Sequence, residues 1–247
     1  MLRDHPTGNY RFIPGITAFS SGVIAMPGHE IVHATLAAPM PRREGFALIE
    51  RHLRAQGRPR TALCGIELRS PAQFSFDGFA KFNEGYRQLL AECSILVGDD
   101  NPVPRTNVAP VTTAPREPSL YAFAYTIAGS TPAPTFVVAG AGEMRDRTQG
   151  ADGIVRRGDT SPDGMREKAR FVMTVMQERM RALGADWKRV TAIDVYTAEP
   201  IHSYIEDILS PAGPAAIHGV RWFPSRPPIQ GLEFEVDVRG VARELVV

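Results

Sequence analysis

Apolar residues recur along this chain with two periods, and the places where one gives way to the other outline its elements. Helical spacing appears first at Phe79, Phe82, Tyr86, Leu89, Leu90 and Cys93. It returns at Ala169, Val172, Val175, Met176, Met180 and Leu183, a methionine-rich stripe read as core and not as a cofactor box. A further helix is expected over about Arg43–Gln56, and a shorter one within 198–213. Ser75 and the Ser161-Pro162 pair are N-terminal capping signals. Gly57 and Gly184 stand where helices stop with a left-handed residue.

Between the helices lie β-type runs at 16–26 and 29–37, joined by Pro27-Gly28, and at 120–129 and 135–143, joined by a proline-rich turn. Each pair reads as a hairpin. Further strands are expected over 103–111, 217–223 and 232–242, the last alternating strictly. The order repeats. ERHLRAQGRPRTALCGIEL (50–68) and ERMRALGADWKRVTAIDVYT (178–197) both give a helix end, a glycine, a polar turn and a strand. Two ββαβαβ copies follow, with one extra strand at the end. The expected fold is α+β, with mixed sheets and helices on one face. The copies are placed at 1–115 and 116–247, with TTAPREP (112–118) as the linker.

Composition narrows the function classes. With 28 Lys+Arg against 27 Asp+Glu there is no basic excess of the kind a nucleic-acid partner needs. No apolar run approaches the ~18 residues of a membrane span, and the N-terminus MLRDHPTGNYRF has no leader pattern. Two cysteines, Cys64 and Cys93, are too few for a disulfide framework, so a reduced cytoplasmic protein is expected.

The doubled order of segments resembles the Rid (YjgF) family. LYAFA…TFVVAGAGE is similar to that family's opening hairpin, and RVTAIDVYTAEPIHSYIEDIL to its strand and second helix. FSFDGFAKFNEGY repeats that helix in the first copy. NPVPRTNVAPV resembles the P-A-R-x-x-V strand that carries the substrate arginine, and LEFEVDVRGVA the closing strand. The stretch HGVRWFPSRPPIQGLEFEVDVRG resembles two-domain 2-aminomuconate-type deaminases of aromatic degradation, including the 2-amino-5-chloromuconate enzymes. The resemblance implies tandem chorismate-mutase-like domains and a homo-oligomer, as a trimer with clefts between neighbours. It also implies cofactor-free hydrolysis of an enamine or imine on a small unsaturated (di)carboxylic amino acid, releasing ammonia.

Carried over residue by residue, Arg105 matches the substrate arginine, Asn83 the second-helix asparagine and Tyr121 the opening tyrosine. A planar guanidinium holds a carboxylate through two parallel hydrogen bonds. A dicarboxylate asks for a second cation, and Arg226 in the stiff SRPPI turn is chosen. On the closing strand Glu233, Glu235 and Asp237 share one face, and Glu235 is chosen to position water or move protons. Glu143 ends the VVAGAGE strand. His218 stands where the second copy's arginine would be, and His33 replaces the family's serine; both are candidate proton relays. The catalytic candidates are thus Glu235, Glu143 and His218, and the substrate-binding candidates Arg105, Arg226, His33, Asn83 and Tyr121. No metal or cofactor is expected. Whether one copy lacks a site or both build one stays open.

Rival readings are a chorismatase-like hydrolase, a non-catalytic ligand-binding module and a zinc hydrolase. The last rests on HEIVH (29–33), which fits H-E-x-x-H. The flanking Pro27-Gly28, Pro39 and Pro41 and the β-branched interior argue for a strand. There His29 and His33 lie about 13 Å apart, too far for one ion. GAGEMR (140–145) lacks the third glycine of a dinucleotide loop.

Overall fold

In the computed structural model, which describes residues 1–247, the chain runs β1 (Arg3–His5), β2 (Tyr10–Ile13), β3 (Gly22–Ala25), β4 (His29–Pro41), α1 (Arg42–Ala55), β5 (Leu63–Arg69), α2 (Phe76–Glu92), β6 (Arg105–Pro110), β7 (Ser119–Ala128), β8 (Phe136–Gly142), α3 (Pro162–Leu183), β9 (Ala192–Tyr196), α4 (Ile205–Ala212), β10 (Arg221–Phe223), β11 (Ser225–Arg226), β12 (Glu235–Gly240) and β13 (Arg243–Val246). The helix ends follow local chemistry. Ser75 and Ser161 each accept a hydrogen bond from the N–H three residues on, those of Gly78 and Gly164. Such caps contribute roughly 1 kcal/mol apiece. Gly184 ends α3 at φ 75°, where a side chain would be strained. HEIVH lies in the long strand β4, so its two histidines do not share a helical face.

The strands form two mixed sheets, in the orders β1-β2-β3-β8-β12-β9-β10 and β11-β6-β5-β7-β4-β13. Helices α1 and α2 cover the outer face of the six-stranded sheet, and α3 and α4 that of the seven-stranded sheet. These outer cores, of 24 and 23 buried residues, are nearly equal, so each layer is held by its own apolar packing.

The two expected hairpins do not form. Strand β3 pairs antiparallel with β8, and β4 with β7. Both links, Pro27-Gly28 and the Thr131–Pro134 turn, instead carry the chain from one sheet to the other. Thr135 fastens the crossing: its carbonyl accepts the N–H of Ala25 and its hydroxyl that of Ile31, at 2.9 and 2.6 Å. Strands β1, β2 and β3 of the first half thus complete the seven-stranded sheet, and β7, β11 and β13 of the second half complete the six-stranded one. Turn residues specify that a chain reverses, but not which strand it then pairs with.

The alternation of β12 has its expected outcome on one face and an unexpected one on the other. Phe234, Val236 and Val238 enter the core beneath α3 and α4. Glu235, Asp237 and Arg239 do not reach solvent; they are 4%, 4% and 2% exposed. The inner faces of the two sheets meet, and the layer between them combines these buried charges with an apolar cluster in which Phe12 and Val23 of one sheet pack with Ile31 and Ala124 of the other.

Candidate active site

Two polar regions occupy that inner layer. In the first, Asp194, Asp237 and Glu67 bring carboxylate oxygens within 4.8 Å of one another. Arg239 lies among them, its Nη1 2.8 Å from Asp194 Oδ2, 3.9 Å from Asp237 Oδ1 and 4.0 Å from Glu67 Oε1. His33 Nε2 is 2.8 Å from Glu67 Oε1, and the Arg69 guanidinium stacks 3.8 Å from the ring of Tyr121. Burial alone would raise the Glu67 carboxyl, but His33, Arg69 and Arg239 outweigh it and bring it down to about 2. Burial, then the Asp194 and Glu67 charges, pushes Asp237 well up; it accepts hydrogen bonds from Thr106 and Tyr196 hydroxyls. Every charge here has a protein partner, as a structural network requires.

The second region opens to solvent. A cleft of about 630 Å³ is walled by Phe19, Phe79, Val175, Ile229 and Leu232, with Arg105, Arg147, Arg179 and Glu235 as its charged groups. Arg105 begins β6 and is 3% exposed. One Nη2 hydrogen bond, 2.8 Å long, goes to Asn83 Oδ1 on α2. The rings of Phe19, Phe79, Phe82 and Tyr86 surround the guanidinium at 4.7–5.5 Å. Its Nε and Nη1 are buried with no acceptor. Burial holds Arg105 down to about 10. A cation in that condition is costly unless an anion arrives.

Glu235 reaches the same cleft from β12, in the other sheet. Its carboxyl makes no hydrogen bond within the protein. Burial raises it to about 8, against the pull of Arg105, so it is mostly neutral at pH 7. Gly140 on β8 leaves room for it, since a Cβ there would overlap Glu235 Oε1. The cleft is therefore built by both halves of one chain.

Residues 2–245 match the family described as 2-aminomuconate deaminase CnbZ. The chain belongs to that family. A curated relative, the 2-amino-5-chloromuconate deaminase of Comamonas testosteroni, is 42% identical over 243 residues, covering 97% of this chain and 96% of that one. Solved structures that the chain is similar to include a chorismatase (13% identical, TM-score 0.49, 90% of this chain and 77% of that one) and the cyanuric acid hydrolase of A. caulinodans (12%, 0.46, 89% and 69%). The YjgF gene product of E. coli is 12% identical with a TM-score of 0.30, covering 55% of this chain and 94% of that one.

Within this family member, the cleft gathers Arg105 and Glu235 from the expected residues, and Asn83 stands behind it as the partner of Arg105 Nη2. The others lie elsewhere. Arg226 forms an ion pair with Glu233 and sits 3.8 Å from Glu199, although its neighbours Pro228 and Ile229 line the cleft. Glu143 is fully buried against Lys168 at 3.1 Å and accepts the backbone N–H groups of Glu233 and Phe234. His33 and Tyr121 belong to the ionic network described first. His218 lies outside the expected strand, exposed at the end of a 3-10 turn (Gly213–His218). Two cleft arginines escaped sequence reasoning. Arg179 could have been found, because it interrupts the apolar stripe between Val175 and Leu183 at i+4 spacing. Arg147 stands in a kinked 3-10 segment (Arg147–Gly153) with no periodic signal.

Proposed function

We propose that this chain is a hydrolytic deaminase of a small unsaturated amino dicarboxylic acid of the 2-aminomuconate type, acting at the Arg105–Glu235 cleft. The observation that carries the reading is the buried Arg105 fork, two of whose nitrogens have no acceptor, facing a carboxyl that stays protonated near neutral pH. Membership of the 2-aminomuconate deaminase family supports it.

Arg105 would take the carboxylate next to the amino-bearing carbon through one unpaired nitrogen, Nε or Nη1, together with the second N–H of Nη2, whose other N–H Asn83 holds. Neutral Glu235 then protonates a chain carbon of the enamine, and the C=C electrons move to give an iminium. The resulting Glu235 carboxylate accepts a proton from water as its oxygen bonds to the iminium carbon. Proton transfer to nitrogen and cleavage of the C–N bond release ammonia and leave a 2-oxo acid. An acid near pH 8 is suited to both directions of transfer. The apolar wall fits a conjugated carbon chain. The reaction needs only positioning and proton transfer, so the reading is cofactor-free. It keeps the trimer that the resemblance implies and a reducing cytoplasm, with Cys64 and Cys93 both free thiols. No helix is long and apolar enough to cross a membrane.

The test is ammonia release from freshly generated 2-aminomuconate, followed together with loss of its conjugated absorbance. Catalysed release that Glu235→Gln abolishes supports the reading. A wild-type rate equal to that of buffer would overturn it.

A further inference from the structure

The charge in the cleft is unbalanced. Arg105, Arg147 and Arg179 face it, and Glu235 is its only acidic group. The cleft therefore carries a formal charge of about +2 with Glu235 ionised and +3 with it protonated. A single carboxylate on Arg105 leaves most of that excess in place. Arg179 extends from α3 and is anchored by Nη1 on the carbonyl of Ala139 at 2.8 Å, with that of Gly140 at 3.4 Å. No carboxylate pairs with it. Arg147 lies at the mouth, its guanidinium 5.7 Å from the Phe19 ring, and makes no hydrogen bond or ion pair. The two are close enough for the Arg147 charge to add to burial in holding Arg179 down to about 10. Like charges side by side at an open cavity are stabilised by an anion between them.

We propose that Arg179 and Arg147 form a second anion subsite, which selects substrates bearing a carboxylate at the end remote from the amino-bearing carbon. Arg105 and this pair share the cleft with Glu235, so a conjugated dicarboxylate could bridge the two anion positions with its reacting carbons beside the acid. The assignment of Arg105 to the reacting end rests on the deaminase reading. The existence of the second subsite rests on the charges and their lack of partners.

Equilibrium binding of unreactive probes separates the two. Hexa-2,4-dienedioate and the monocarboxylate hexa-2,4-dienoate are titrated by calorimetry into wild type, Arg147→Gln, Arg179→Gln and the double variant. Wild type should prefer the diacid by roughly 10- to 100-fold, the worth of one or two charge-assisted hydrogen bonds. Each single variant should weaken the diacid about tenfold or more and leave the monoacid within about threefold, and the double variant should lose the preference. Arg147→Gln, at an exposed position with no polar partner, serves as the variant with the least risk to folding. A wild type without preference, a double variant that keeps it, or parallel loss of both probes would overturn the subsite. Ammonia is not read, so a failed deaminase assay and a failed subsite are told apart.

Discussion

A side chain at Gly140 would collide with Glu235: a Cβ built there overlaps Oε1 and comes within 3.0 Å of Thr106 Oγ1. The bare backbone of β8 is thus the floor on which the cleft carboxyl rests. Gly140→Ala should turn Glu235 out of line and lower kcat by about tenfold or more, since misplacements of about 1 Å are costly in a preorganised site. The strand has ordinary extended geometry, so the melting temperature should change little. Unchanged kcat would show that the Glu235 position does not matter.

Arg105→Met should separate function from stability. Loss of a bidentate charge-assisted contact should reduce kcat/KM by roughly 30- to 1000-fold. The same change removes a buried cation with two unpaired nitrogens from a ring of aromatic side chains. The melting temperature should therefore hold or rise. A marked fall in thermal stability would mean that Arg105 is already well paired.

Glu235 should leave a signature in pH dependence. Burial raises its pKa to about 8, so the folded protein keeps a proton that the unfolded chain releases above about pH 4.3. Stability should fall as pH rises between those values, by up to about 1.4 kcal/mol per pH unit, and level off above. Glu235→Gln should be flatter over that window in denaturant titrations. In the wild type kcat/KM should fall above about pH 8, as the acid is lost. A Glu235→Gln variant with the wild-type profile would assign the acid elsewhere.

Lys168 and Glu143 form a pair with no exposed surface. Lys168→Met leaves a buried carboxylate uncompensated and should cost about 3–5 kcal/mol in chemical denaturation. Glu143→Gln should also lower stability, because one carboxylate holds the N–H groups of Glu233 and Phe234 and so sets the approach to β12. Its pH–rate profile should keep the single alkaline fall of the wild type, moved to lower pH because the Glu143 charge adds to burial in raising Glu235. Disappearance of that fall would make Glu143 the proton carrier.

Arg226 is half-exposed and tied to Glu233, and surface ion pairs are typically worth under about 1 kcal/mol. Arg226→Ala should leave kcat/KM within about threefold. A larger loss would bring that arginine back to the substrate.

Much of this molecule was legible along the chain because its causes are local. Ser75, Ser161 and Gly184 mark helix ends through atoms three or four residues away. The strict alternation of 232–242 required one apolar face, and β12 has it. Arg105 and Asn83 could be named together because strand and helix segments of that order resemble a known family, and Glu235 because it alternates with Phe234 and Val236. What the chain's order left undetermined depends on partners far away in sequence. Gly22 pairs with Val138 and His33 with Ala124, choices made by burying two inner faces against each other and not by the turns beside them. The same long-range packing placed His33 and Tyr121 in an ionic network and left Arg147 and Arg179 facing the cleft, whereas Arg226 met Glu233 across a local turn. Local propensity selects an element. Which charges inside it find a partner is decided only when the two sheets close.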